Sequence, residues 1–149
     1  MISVTINLDT SRFDRMMSDF PAAMARAKKN ALYDVGRSIV RIARDSFTRN
    51  TTLRPSPWAP RKDKKTHKLL LRSTDMYNQI DSRLVDEDTV AIGTKAKYAP
   101  YHQHGTKNMP ARPFFPIDRY GHLTPVAQRT VLRNIENAYK EELEKLFRQ

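Results

Sequence analysis

The chain has 149 residues, no cysteine and a net charge of +11. That is the size of one ordinary domain, and such a chain can bury roughly 70% of its unfolded surface without a disulfide or metal to hold it. Missing cysteines exclude disulfides, thiolate metal sites and cysteine nucleophiles, and fit synthesis in a reducing cytoplasm.

Residues 2–8, "ISVTINL", place Ile2, Val4, Ile6 and Leu8 on one side and Ser3, Thr5 and Asn7 on the other. A period of two with β-branched residues predicts a half-buried strand. The N-terminus lacks the long apolar core of a signal peptide, and no run approaches the ~18 residues of a membrane span. "DTS" then supplies a turn and a helix N-cap.

From about Ser11 to Phe47 the period lengthens. Phe13, Met17, Phe20, Met24, Ala27, Ala31, Val35, Ile39 and Ile42 recur every three to four residues, one face of an amphipathic helix. Pro21 either kinks it or opens a second helix at its first position. A helix this long either crosses the whole sheet or uses part of its face on a neighbouring subunit.

Residues 48–68 have no period and are rich in Thr, Pro and Lys, which predicts an exposed flexible loop. Between Arg54 and Arg72 seven basic residues oppose only Asp63, a net +6. A patch this focused is either a solvated loop or a contact for a polyanion, most often nucleic acid. Trp58 either anchors the loop on the core or meets a partner.

Leu69–Leu71 and Ser73–Met76 read as short helical turns. Residues 78–85 and 89–94 read as a β-hairpin with the acidic "DED" at its tip. Pro100 opens one further helical turn, which Gly105 ends in a left-handed cap. "MPARPFF" should run as an edge strand with Phe114 and Phe115 on opposite faces. A closing helix follows, with Thr124 as N-cap and Pro125 at its first position. Its stripe is Ala127, Val131, Ile135, Ala138, Leu143 and Leu146, with Glu136–Lys140 and Glu141–Lys145 paired along its solvated side. The order of elements predicts an α+β fold in one domain over 1–149: a small, mainly antiparallel sheet of N-terminal strand, hairpin and edge strand, packed by two helices.

Chemistry is hard to place on this chain. His102-x-His104 could give a metal two nitrogens, but a zinc site needs a third protein ligand, and neither His67 nor His122 has ligand spacing. Four glycines in all exclude phosphate-binding and dinucleotide fingerprints. No nucleophile motif is present. The reading is no catalytic residue, no cofactor and no metal.

"YAPYHQHGT" followed by "MPARPFF" resembles the signature of the phage virion morphogenesis family, the Mu-like tail completion proteins. A related phage neck family carries YA…GT and then PARPF. Trp58-Ala59-Pro60 resembles the family's W-x-P loop. "KLLLRSTDMYNQI" resembles its leucine pair, turn and strand entry, and "DTVAIG" its strand before the YA motif. These motifs cover about residues 58–117, and length and element order match throughout. The chain departs from the pattern at His104, at Thr74-Asp75 and at Pro116-Ile117-Asp118.

The resemblance implies a non-enzymatic virion protein, made in the host cytoplasm, that caps the tail or joins it to the head. It implies assembly with itself into a ring, often six-fold, and contact with tail-tube and neck proteins, without a membrane. Trp58, Tyr98, Tyr101, Gly105, Thr106, Pro110, Arg112, Pro113, Phe114 and Phe115 would be its structural or subunit-contact residues. Arg54, Arg61, Lys62, Lys64, Lys65 and Lys68 would face DNA passing through the lumen, where phosphate contacts need only surface cations. The alternative is a stand-alone nucleic-acid-binding protein using the same loop.

Overall fold

The computed structural model describes residues 9–49, 58–62, 65, 66, 68–70 and 74–148. The expected strand at 2–8 lies outside them, as do Arg54, Lys64 and most of the basic loop.

Helix α1 runs unbroken over Ser11–Arg49, about 58 Å at 1.5 Å per residue. Pro21 is inside it and starts no second helix; it leaves the Met17 carbonyl without its usual intrahelical donor. Ahead of the helix, Asp9 accepts a hydrogen bond from the Ser11 amide at 3.0 Å; the Ser11 side chain first, and then this amide, hold its carboxyl below the ordinary pKa. A short α2 covers Asp75–Asn78, and β1 (Asp81–Leu84) pairs antiparallel with β2 (Val90–Gly93). Helix α3 is Ala99–His104 and α4 is Pro125–Phe147. The expected α+β class holds: two long helices packed with an antiparallel hairpin.

The hairpin lies along α1. Arg44 donates to the Ile80 carbonyl at the hairpin base, and Lys28 pairs with Asp88 at its tip, 2.6 Å away. Gly36 marks the closest approach. A Cβ there would stand 2.8 Å from Ser82 Oγ and 3.1 Å from Val90 Cγ2.

Helix α4 returns antiparallel beside α1. Arg26 meets Glu142 at 3.0 Å, and Asn134 donates to Ser38 Oγ at 2.8 Å and to the Asp34 carbonyl. Ala23, Ala27 and Ala31 are buried along α1 and Ala127 and Ala138 along α4, so small side chains let the helices approach. Glu142 is buried in this seam, and hydrogen bonds from Lys145 and then Arg26 lower its pKa.

The α4 stripe differs from the expected one at Ile135, which is exposed, whereas Thr130 and Glu142 are buried. Asn134 takes the inward contact that a purely apolar count gives to its neighbour. The lysines also pair differently: Lys145 with Glu142 and Lys140 with Glu144. Thr124 occupies the N-cap position, but its side chain makes no cap hydrogen bond.

The edge strand expected at "MPARPFF" does not form: residues 110–114 are in no strand. Prolines 110, 113 and 116 have no N–H to give a ladder. The remaining donors go elsewhere, Arg112 N to the His102 carbonyl at 2.7 Å and Phe114 N and Phe115 N to the Gln103 side chain. Phe114 and Phe115 do not point to opposite faces either, since their rings lie 4.7 Å apart.

Candidate functional site

The motif residues converge at the C-terminal end of α1. Phe47 is fully buried there, with Trp58 edge-on at 6.0 Å, Tyr77 edge-on at 5.7 Å and Phe114 at 5.5 Å. Val40, Ala43, Met76, Ile80, Ala96 and Ala99 complete the cluster. Of the two readings of Trp58, the anchor is the one the fold adopts: the ring is 6% exposed.

Two distant stretches hold each other here. Trp58 Nε1 donates to the Pro113 carbonyl at 2.8 Å. In the other direction, Arg112 Nε donates to the Ala59 carbonyl at 3.1 Å and its terminal nitrogen to the Pro60 carbonyl at 3.2 Å. Arg112 is 8% exposed, and its side chain donates to neutral carbonyls. A buried cation held this way keeps its field.

Gln103, between the two histidines, is the residue that sequence reasoning passes over. Its Oε1 accepts from Phe114 N at 3.0 Å and Phe115 N at 3.1 Å, and its Nε2 donates to the Phe115 carbonyl at 3.3 Å. One amide thereby satisfies the backbone of the proline-rich run, as a neighbouring strand otherwise would. Ser46 on α1 reaches the Phe114 carbonyl from the far side. No signal in a single sequence marks Gln103, because its partners lie eleven and twelve residues on and belong to the backbone.

Gly105 ends α3, but not with the expected left-handed cap. Its φ of 77° and ψ of 177° lie in a region open essentially to glycine alone. The chain then turns at once: Thr106 and Met109 bridge across Lys107-Asn108. A Cβ on Gly105 would stand 2.8 Å from the Ala111 amide nitrogen and 2.9 Å from the Met109 carbonyl oxygen.

The two histidines do not form a ligand pair. Positions two apart on a helix face different sides, and His104 is exposed whereas His102 is half-buried. Burial, and then repulsion from Arg112, hold the His102 ring below its ordinary pKa. Its Nδ1 is buried without a hydrogen-bond partner among the described residues. Those residues contain no group of three side chains fit to hold a metal.

The remaining motif residues line the surface. Tyr98, Tyr101, Thr106 and Pro110 are exposed, and Pro113 and Phe115 are half-buried. Of the basic residues, Lys62, Lys65 and Lys68 are exposed, and Arg61 donates to the Lys65 carbonyl at 2.8 Å. Arg61, Lys62, His102 and Arg112 share the walls of one cleft of about 550 Å³ with Leu69, Leu70 and Tyr98.

The family model of the phage virion morphogenesis family matches residues 8–149. The chain belongs to that family. As a virion morphogenesis protein it keeps the resembling motifs as mutual anchors, W-x-P and PARPF closing on each other. No curated protein and no solved structure matches the chain. Among the described residues, no helix is long and apolar enough to cross a membrane.

Proposed function

We propose that this virion morphogenesis protein is a non-enzymatic component of the phage tail or neck. It completes the tail and joins it to the head as a ring at the head-proximal end. The observation that carries this reading is a face of α1 left uncovered among the described residues. Phe13, Met17 and Phe20 recur at helical spacing and are 57%, 50% and 39% exposed. Three large apolar side chains on one face mark a contact surface, not a solvated one. Exposed Lys65 and Lys68 support a further, sequence-independent contact with DNA in the lumen.

Light scattering and negative-stain imaging test the proposal, on the purified protein alone and with isolated tails. Rings, free or seated on tail ends, are the expected result. A protein that stays monomeric at high concentration and leaves tails uncapped overturns it.

A further inference from the structure

The cleft beside Arg112 is basic on one wall and apolar on another. Arg61, Lys62 and Arg112 supply three positive charges, and Asp75 is the one acid among its described lining residues. Leu69 and Met109 give the apolar side. A phosphate backbone has no use for that apolar side, so the cleft fits an acidic segment carrying an apolar residue.

The hairpin tip has that composition. Asp86, Glu87 and Asp88 follow Val85, which is 57% exposed. Lys28 pairs with Asp88 and is the one base bonded to the tip among the described residues. Three successive acids make the tip negative where the cleft is positive.

Tip and cleft of the same chain stand apart. The hairpin base meets α1 at Arg44 and its tip meets α1 at Lys28. Those sixteen residues of helix span about 24 Å. The cleft is built from segments that flank the base: Asp75 precedes β1, and Tyr98 and His102 follow β2. Two complementary, non-overlapping patches on one chain make a head-to-tail contact, the kind that closes into rings.

We propose that the acidic hairpin tip of one copy, with Val85 at its side, docks in the Arg61–Lys62–Arg112 cleft of the next. This rests on the ring reading and adds a subunit contact to the one on the α1 face. Val85 meets the leucine wall, and the carboxylates meet the cations. The unpartnered Nδ1 of His102 gives the cleft one further hydrogen-bonding atom. Arg112 acts through its field, since its nitrogens are bound to carbonyls.

Charge reversal with mixing tests the contact. A tip variant carries Asp86→Lys with Glu87→Lys, and a cleft variant carries Arg61→Glu with Lys62→Glu. By light scattering each alone should lose assembly at least tenfold in concentration dependence. Mixed in equal amounts they should regain it, because each tip then meets an opposite cleft. The chain has no cysteine, so Glu87→Cys with Lys62→Cys and a short bis-maleimide linker gives an independent measurement. It should yield a ladder of covalent oligomers. Wild-type rings with both reversed variants assembling normally, or with no ladder, overturn this contact and leave the ring reading intact. A wild-type protein that assembles neither alone nor on tails overturns both.

Discussion

The two ends of α1 are built on opposite plans. At its C-terminal end Phe47 touches three aromatic rings, and the Phe114 and Phe115 amides are both bonded to Gln103. At its N-terminal end alanines make the seam with α4, and Phe13, Met17 and Phe20 stand in solvent. The first end folds on its own resources. The second has surface that the described residues leave uncovered, on the same helix and in the same apolar period. Periodicity alone therefore cannot separate a core face from a docking face; what does is whether another segment of the chain returns to cover it.

The contrast is broken most strongly at Phe47. Phe47→Ala should destabilise the fold by about 3–5 kcal/mol, the usual cost of emptying an aromatic site. Urea unfolding checks this, and a midpoint near wild type would mean that the cluster carries little. Gly105→Ala comes next, at about 1–3 kcal/mol for the backbone region alone, with the contacts to Ala111 and Met109 added. Gln103→Ala leaves the Phe114 and Phe115 amides bare, at about 1–3 kcal/mol for each that water cannot reach. Faster amide exchange at those two positions is its particular signature.

A pH effect follows from His102. Its folded pKa lies below the ordinary 6.5 because burial, and then Arg112, disfavour the charged ring. Between the folded and unfolded values the unfolded chain holds more protons, so stability should fall as pH drops below about 6.5. The loss levels off once the folded pKa is passed. His102→Gln should flatten this part of a urea-midpoint profile, and parallel profiles would contradict the assignment. The smallest effect on the monomer is expected at the other end of α1. Replacing Phe13, Met17 and Phe20 with serine should leave monomer stability within about 0.5 kcal/mol per site, yet abolish assembly seen by light scattering.

Much of this architecture is legible in the residues. The long helix, the hairpin with its acidic tip, the turn ended by Gly105 and the closing helix all follow from period, cap and turn chemistry. The proline-rich run is not legible, because its donors are taken by a side chain, and strand logic assumes another strand. Nor is the Gly36 approach, since nothing local tells that Ser82 and Val90 will press on it. Ile135 misleads for a related reason: Asn134 beside it reaches α1 by hydrogen bonds that an apolar count ignores.

The bonds from Trp58 and Arg112 end on carbonyls of Pro113, Ala59 and Pro60. Every residue offers a carbonyl, so this clasp grips the main chain whatever the neighbouring letters say. Substitutions at Ala59 and Pro60 that keep the backbone path thus leave the clasp's acceptors in place. A virion protein fastened in this way holds its Trp58–Pro60 stretch by main-chain acceptors that a change of side chain does not remove.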